Sequence, residues 1–286
     1  MNSDAAYYIG KTHKVCQDYA IAKNNLSEYK IILSDGCSGS IQTDMGSRII
    51  CETIKNYLEL CTINNIKLFF NNINIIYQMM DLPKECLDAT LLFSFVKNNL
   101  IKIKAYGDGI IILKNRNNNT HIISIEFSNS YPFYLNYLNG NNERYDKWAS
   151  MQNNHKIINT FTISSDNEII DTKEYIIKND TKIANPNYII STNKQEDEII
   201  VDKNIYKWVS LSSDGLHSFY KTIFNDTSII SEKIALQDII YNLFDFKNFN
   251  GAFVQRRLKK FITITCKNNN WYHNDDISIA TIYCED

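Results

Sequence analysis

Hydrophobic residues in the first half of the chain form strand-like runs separated by two helical patterns. Three runs predict strands near the start: AAYYIG, YAIAK and YKIILS. Apolar residues then recur at helical spacing over residues 43–61, with Thr43 or Asp44 available as the N-cap. A second helix is predicted over Lys67–Met80, ending near Pro83. Four more strands follow as a meander: DATLLFSFV, LIKIKAYG, GIIIL and HIISIEF.

The second half of the chain has weaker patterns. From about residue 128 to 204 the signals are short and rich in Tyr and Asn, and we interpret this segment as sheet edges and a surface flap. A clear strand, YKWVSLS, follows it. Helical patterns then cover Leu216–Phe224, Ser231–Phe244 and Gly251–Thr265, before a last strand over Ile277–Cys284. Strands in runs and helices in runs favour an α+β fold with helices packed on antiparallel sheets.

Composition restricts the functional class. The 286 residues are 44% hydrophobic and 22% charged, as in ordinary globular proteins. A net charge of -2 with only five arginines argues against nucleic acid or an anionic membrane as the main partner. No apolar stretch approaches the roughly 20 residues of a membrane helix. Seven cysteines without a close C-x-x-C pair, and no secretion signal, lead us to expect reduced thiols in a cytoplasmic protein.

Aspartates gather at the ends of the strand-like runs. Asp-Gly pairs at 35–36, 108–109 and 214–215 each close an apolar run, Asp18 precedes a short strand, and Asp275 precedes the last strand. One Asp-Gly pair alone is typical of a hairpin turn, and a turn or cap is the simpler interpretation of any single aspartate. Several carboxylates at strand ends, beside exposed backbone carbonyls, suit Mg²⁺ or Mn²⁺. We therefore hypothesise a site for such cations.

Converging aspartates would have a definite chemistry. Their combined charge costs several kcal/mol unless cations neutralise it. Two divalent ions about 3.5–4 Å apart would share a carboxylate and lower the pKa of a water between them, giving a nucleophile for a phosphorus centre. A cysteine-dependent phosphatase is excluded, because no cysteine has an arginine six positions later. The glycine-rich GCSGS lacks the lysine of a P-loop.

Six short motifs follow one another between about Gly10 and Tyr283: HKVCQD, SDGCSGS, DAT at 88–90, YGDG, SSDG and NDDIS. Their order resembles the metal-dependent protein phosphatases (PPM, or type 2C serine/threonine phosphatases), especially their divergent bacterial-type branch. The resemblance implies one phosphatase domain over residues 1–286, with the irregular flap around 128–204. It also implies a four-layer α-β-β-α sandwich, in which a central antiparallel β-sandwich is flanked by helices.

The resemblance further implies two Mg²⁺ or Mn²⁺ ions at one end of the sandwich. Asp35 would bridge the two ions, and the carbonyl of Gly36 would ligate one of them. Asp214 and Asp275 would hold the ion on the other side.

Two more aspartates belong to the implied ligand set. Asp18 would lie in the metal shell, contacting ions directly or through water. Asp108 would help Asp214 hold a more weakly bound third ion.

Three positions depart from the family pattern. His13 stands where many members carry an arginine that grips the substrate phosphate. We assign His13 and Lys14 to that phosphate, without the planar fork of arginine, and His13 joins Asp35 and Asp18 as a catalytic residue. Cys37 replaces a histidine proposed as general acid, and Gln17 replaces the glutamate of eukaryotic members. We therefore expect these departures to affect mainly the affinity for the substrate phosphate and the rate of hydrolysis.

We predict a metal-dependent phosphatase that hydrolyses phosphoserine and phosphothreonine in proteins, acting as a monomer on the substrates of a serine/threonine kinase. The alternative is a pseudophosphatase that binds phosphoproteins or a regulatory partner without hydrolysis. A third interpretation is a phosphatase of small phosphorylated metabolites.

Overall fold

A computed structural model describes residues 1–25, 28–56, 63–139, 143–151, 153–225 and 228–284. The strands, in chain order, are β1 (Asn2–Tyr8), β2 (Tyr19–Asn25), β3 (Glu28–Ser34), β4 (Leu91–Lys97), β5 (Leu100–Tyr106), β6 (Gly109–Asn115), β7 (Thr120–Phe127), β8 (Lys156–Ile163), β9 (Ile169–Ile177), β10 (Thr181–Asn185), β11 (Tyr188–Thr192), β12 (Asp197–Asp202), β13 (Tyr206–Ser212), β14 (Phe219–Asn225), β15 (Ser228–Lys233), β16 (Trp271–His273) and β17 (Ile277–Tyr283). The helices are α1 (Thr43–Ile54), α2 (Ile63–Met79), α3 (Glu143–Ala149), α4 (Leu236–Leu243), α5 (Phe253–Lys260) and α6 (Lys267–Asn269).

Two antiparallel sheets of seven strands form the centre of the fold. The strand order is β1-β17-β13-β6-β7-β8-β9 in the first sheet and β10-β11-β12-β5-β4-β3-β2 in the second. A small third sheet has the order β15-β14-β16. No helix in the described ranges combines the length and the apolar character that a bilayer crossing requires.

The alternation of side chains along each strand divides the apolar residues among three layers. In β3, Ile31 and Leu33 point into the core between the two sheets, where they meet residues such as Ile111 and Leu211. Ile32, between them in sequence, faces the opposite side and packs under the first two helices. Each of these side chains is at most 2% exposed.

Helices cover the outer face of each sheet. α1 and α2 pack on the second sheet through residues such as Ile50 and Phe69. α4 and α5 pack on the first sheet through residues such as Ile239 and Leu258. These layers confirm the predicted α+β fold, a four-layer α-β-β-α sandwich.

Two of the predicted helices are wrong. Leu216–Phe224 is a short 3-10 turn followed by β14, and Ser231–Phe244 becomes helical only at Leu236, after β15. β-Branched residues such as Ile223 and Ile230 favour strands, and these two pair directly across the β14–β15 hairpin. The apolar residues here are also spaced as in a helix, but the pairing of the two strands determines the structure.

The other predicted helices form with shifted ends. α1 begins at Thr43, so Thr43 and Asp44 lie inside the helix and neither is the N-cap. The predicted continuation through residues 57–61 falls outside the described residues. α2 begins earlier than predicted, and the helix that starts with α5 continues through a wider π-helical stretch to the end of α6, at Asn269.

The segment 128–204, whose patterns are irregular, completes both sheets. After a 3-10 turn at Leu135–Leu138 and helix α3, strands β8 and β9 extend the first sheet, and β10 to β12 extend the second. A fully buried ion pair joins the two extensions, with Lys156 Nζ 2.8 Å from Asp197 Oδ2. Thr192 Oγ1 also donates a hydrogen bond to Asp197.

We expect Lys156→Met to lower the free energy of unfolding by about 3–5 kcal/mol, because Asp197 would remain as an uncompensated buried charge. Lys173→Met is the matched control. Its ion pair with Asp171 is about half exposed, so the change should stay within about 0.5 kcal/mol. Denaturant unfolding of both variants measures the difference, and equal losses would contradict a structural role for the buried pair.

Candidate metal centre

Strand register brings the four aspartate turns to one end of the sandwich. Ser212, the last residue of β13, pairs with Ile110 near the start of β6 and with Ile279 near the start of β17. In the second sheet, Leu92 near the start of β4 pairs with Leu33 near the end of β3. The turns at this end carry Asp35, Asp108, Asp214 and Asp275.

Residues 88–90, the DAT motif, hold the loop that follows β3. The backbone N–H of Thr90 donates to the carbonyl of Asp35 (2.8 Å), and the N–H of Asp35 donates to Thr90 Oγ1 (3.1 Å). The N–H of Cys37 donates to the carbonyl of Asp88 (2.8 Å). A β-bridge between the same two segments completes the pairing, so the position of Asp35 depends on the motif.

Asp108 lies in the tight turn between β5 and β6. Gly107 and Gly109 on either side have φ angles of 104° and 145°, which residues with a side chain rarely adopt. Burial raises the pKa of Asp108 well above its usual range, and the negative charge of Asp214 adds to this effect.

Gly215 allows the last two aspartate loops to touch. A Cβ at this position would overlap the carbonyl oxygen of Asp276, so only glycine lets the two backbones approach so closely. The N–H of Asp275 also donates to Ser218 Oγ (3.2 Å). Asp214 and Asp275 are therefore held side by side, and burial, followed by the charge of Asp214, raises the pKa of Asp275.

Asp276 anchors the N-terminal segment. Its buried carboxylate accepts hydrogen bonds from the N–H groups of Gly10 (2.7 Å) and Gln17 (2.6 Å). His13 Nδ1 lies 2.9 Å from the same carboxylate, and His13 Nε2 lies 3.5 Å from Asp275. Burial opposes protonation of His13, but the hydrogen bond and charge of Asp276 outweigh it and raise the pKa.

Asp18 is the most unusual carboxylate at this end. It is 1% exposed, and neither of its oxygens has a hydrogen-bond partner of normal geometry among the described residues. Burial raises its pKa from 3.8 to about 7, an effect that nearby Asp35, Ser213 and Ser278 offset only in part. A buried carboxylate without partners is costly unless it is protonated or a cation neutralises it.

Asp35 stands at the centre of the cluster, within hydrogen-bonding reach of both Asp18 and Asp214. Burial raises its pKa well above the usual range, and the charges of Asp18 and Asp214 raise it further. The three carboxylates therefore repel one another when ionised.

A cavity of about 340 Å³ opens over this cluster. Among the sequence-predicted residues, Asp35, Gly36, Asp108, Asp214 and Asp275 line it. Asp18 lies buried behind Asp35, and His13 and Lys14 are not part of the lining. Sequence patterns missed several residues that also line the cavity, and Glu126, Tyr134, His217 and Lys233 are the titratable ones among them.

His217 lies in the same 3-10 turn as Asp214 of the SSDG motif, whereas Glu126, Tyr134 and Lys233 belong to segments without a motif. His217 Nε2 lies 3.2 Å from Ser124 Oγ and 3.9 Å from Glu126, and burial lowers its pKa despite the nearby carboxylates. Tyr134 lies beside Cys37, and burial, followed by the nearby thiol and carboxylates, raises its pKa far above the usual range. At neutral pH the Tyr134 hydroxyl therefore keeps its proton and the His217 ring is neutral.

Asp88 ties the helix α3 to the loop after β3. Arg144 of α3 donates to both oxygens of the Asp88 carboxylate, with Nη1 2.8 Å from Oδ1. Asn136 Nδ2 (3.0 Å) and Ser40 Oγ (2.9 Å) donate to the same group. Asp88 is only 1% exposed, so these are strong, charge-assisted contacts.

The described aspartate side chains, in the positions they occupy, are not arranged as the ligands of a metal ion. Within the described ranges, no three His, Cys, Asp or Glu side chains are arranged so that they could hold a metal ion as they stand. The carboxylate of Asp35 lies instead within hydrogen-bonding reach of Asp18 and of Asp214. A second cavity of about 390 Å³, at the opposite end of β6, is lined by Lys114, Trp208 and Tyr241 and lacks a carboxylate cluster.

The family model for protein phosphatase 2C matches residues 10–263. The chain belongs to the protein phosphatase 2C family. No curated protein sequence is significantly similar to it.

Solved structures share the fold at low sequence identity. The chain is similar to a bacterial serine phosphatase (16% identity, TM-score 0.50, covering 100% of this chain and 98% of that one). A mutant form of a bacterial serine phosphatase gives 16% identity and a TM-score of 0.53 over 100% and 98%. Serine/threonine phosphatase Stp1 from Staphylococcus aureus gives 15% and 0.51 over 100% and 96%. At these identities the likeness concerns the fold alone.

We expect Asp18→Asn to stabilise the metal-free protein at pH 8 by more than about 1 kcal/mol. A carboxyl whose pKa rises from 3.8 to about 7 on folding opposes folding increasingly as pH climbs through that window. The gain should therefore shrink towards pH 5. Denaturant unfolding in EDTA measures it, with the half-exposed Asp171→Asn as control.

Loss of stability in Asp18→Asn at pH 8 would show that the carboxylate has a partner in the folded protein. Adding Mn²⁺ gives a second readout. The parent should gain more stability from the ion than Asp18→Asn does, because ligand binding to the folded state stabilises it.

Proposed function

We propose that this chain is a metal-dependent protein phosphatase that hydrolyses phosphoserine and phosphothreonine. The proposal treats residues 1–286 as one phosphatase domain that acts as a monomer on phosphoproteins in the cytoplasm. Family membership supports the general class. The described cysteines are all free thiols, in agreement with a reducing compartment.

The buried carboxylate of Asp18, which lies beside Asp35 and has no hydrogen bond of normal geometry among the described residues, is the observation that carries the proposal. Five of the residues that line the cavity supply further oxygen donors: Asp35 itself, Gly36 with its carbonyl, Asp108, Asp214 and Asp275. Oxygen is the donor that Mg²⁺ and Mn²⁺ prefer, so the chemistry of the set fits these ions. Two cations would remove the repulsion that raises the pKa values of the cluster.

In this proposal Asp18, Asp35, Asp214 and Asp275 hold two ions, with the Gly36 carbonyl. Asp108 and Asp214 hold a weaker third. When bound, such ions lower the pKa of a water molecule and offset the charge of phosphoryl oxygens.

The chain's own residues orient the site. Thr90 fixes the Asp35 backbone, and Gly215 keeps Asp214 against the Asp275 loop. Tyr134 keeps its proton on Oη and can donate a hydrogen bond into the cavity. Neutral His217, bonded to Ser124, can accept or donate one there. The role of His13 and Lys14 at the substrate phosphate stays a prediction, and neither residue lines the cavity.

One observation favours a pseudophosphatase as the second candidate. The described His, Cys, Asp and Glu residues include no trio arranged to hold an ion as they stand. Calorimetric titration with Mn²⁺ separates the candidates, because a pure binding module has no need of a metal site. Heat of binding at micromolar to millimolar Mn²⁺ supports the enzyme.

We expect the protein to hydrolyse p-nitrophenyl phosphate in Mn²⁺ and to lose this activity in EDTA. A phosphopeptide panel set against small phosphorylated metabolites then tests the protein substrate class. A folded protein without metal-stimulated turnover would speak for the pseudophosphatase, and turnover of metabolites alone would speak for the third interpretation.

We expect Asp35→Asn to reduce kcat by about 100-fold or more, a barrier increase of about 2.7 kcal/mol, because the central shared carboxylate is lost. The fold should persist, because the carboxylate is destabilised by its neighbours. Asp81→Asn, on an exposed loop, is the matched control. Near-parental turnover in Asp35→Asn would refute its role as the bridging ligand.

A further inference from the structure

The candidate active-site cavity is poor in positive charge. Five carboxylates line it: Asp35, Asp108, Glu126, Asp214 and Asp275. Of the described residues in the lining, Lys233 alone is a lysine or arginine. A phosphate monoester is an anion, so a cationic side chain at the entrance would favour its binding.

The charges near the N-terminus are directed elsewhere. His13 lies between Asp276 and Asp275, at 2.9 and 3.5 Å, and these carboxylates neutralise any charge it carries. Lys14 is exposed and does not line the cavity. Neither group presents an unpaired positive charge to the cavity.

The small third sheet holds Lys233 at the cavity. Lys233 is the last residue of β15 and pairs with Tyr220 at the base of the hairpin. The next N–H along the chain, that of Ile234, donates to the carbonyl of Phe219 (3.0 Å). Phe219 is fully buried and pairs with His273, two residues before Asp275. The lysine is therefore fixed to the same frame as the metal-binding turns.

Among the residues that the structure describes, none forms an ion pair with the ammonium of Lys233. Its charge reaches the cavity, because it contributes to the lowered pKa of His217, after burial. An exposed cation beside five carboxylates, yet paired with none, is available to a bound anion.

We propose that Lys233 is the residue that binds the phosphate of the substrate, in place of His13 and Lys14. The proposal rests on the proposed phosphatase function and assigns its specificity for phosphate to the β14–β15 hairpin. Lysine provides a point charge on a flexible stem, without the bidentate geometry of arginine.

Lys233→Met tests the proposal, with Lys221→Met as the matched control. Lys221 is an exposed lysine on β14 of the same hairpin and does not line the cavity. With p-nitrophenyl phosphate in Mn²⁺, we expect KM to rise about tenfold in Lys233→Met, while kcat changes less. Lys233→Arg should restore most of the affinity, and Lys221→Met should match the parent.

Calorimetric binding of inorganic phosphate in the presence of Mg²⁺ keeps this test separate from the proposed activity. If the parent binds phosphate but hydrolyses nothing, the phosphatase proposal fails while Lys233 is still tested. Weaker phosphate binding in Lys233→Met alone supports the proposal. It is overturned if Lys233→Met binds like the parent, if Lys14→Met or His13→Gln causes the loss instead, or if the parent does not bind phosphate.

Discussion

Mutual repulsion among carboxylates at one end of the sandwich is the constraint on which the rest of the structure depends. Asp18 and Asp35 are held near each other with too few polar partners, and this arrangement costs folding free energy. The cost is tolerable because the rest of the fold is well packed, with one apolar core between the sheets and another under each helical layer. Functional sites commonly combine local destabilisation with a rigid surrounding structure. In this chain the rigid part is the paired backbone that carries each turn.

Much of the architecture could be predicted from the sequence, because alternation within strands and helical spacing are local signals. The strands that flank the acidic turns follow this rule. Residues 216–233 do not follow it, because β14 also pairs with β16, which lies far along the chain and outside any local window. The same limit explains the missed lining residues. Glu126 and Lys233 reach the cavity only through the order of the sheets.

The acidic motifs indicated where carboxylates converge but could not assign each one a role. Asp275 and Asp276 are adjacent and chemically identical, yet one faces the cavity and the other turns inward to bind backbone N–H groups of the N-terminal segment. The family model ends at residue 263 and so does not reach either of them. The different positions of Asp275 and Asp276 depend on the close approach of the Gly215 backbone to the Asp276 carbonyl, which is a property of the folded chain.

Asp88 joins two segments that are far apart in sequence. Arg144 of α3 grips its side chain, while its own carbonyl accepts the N–H of Cys37, two residues beyond Asp35. Because both contacts are made by one buried residue, a shift of α3 would be transmitted to the backbone two residues beyond Asp35.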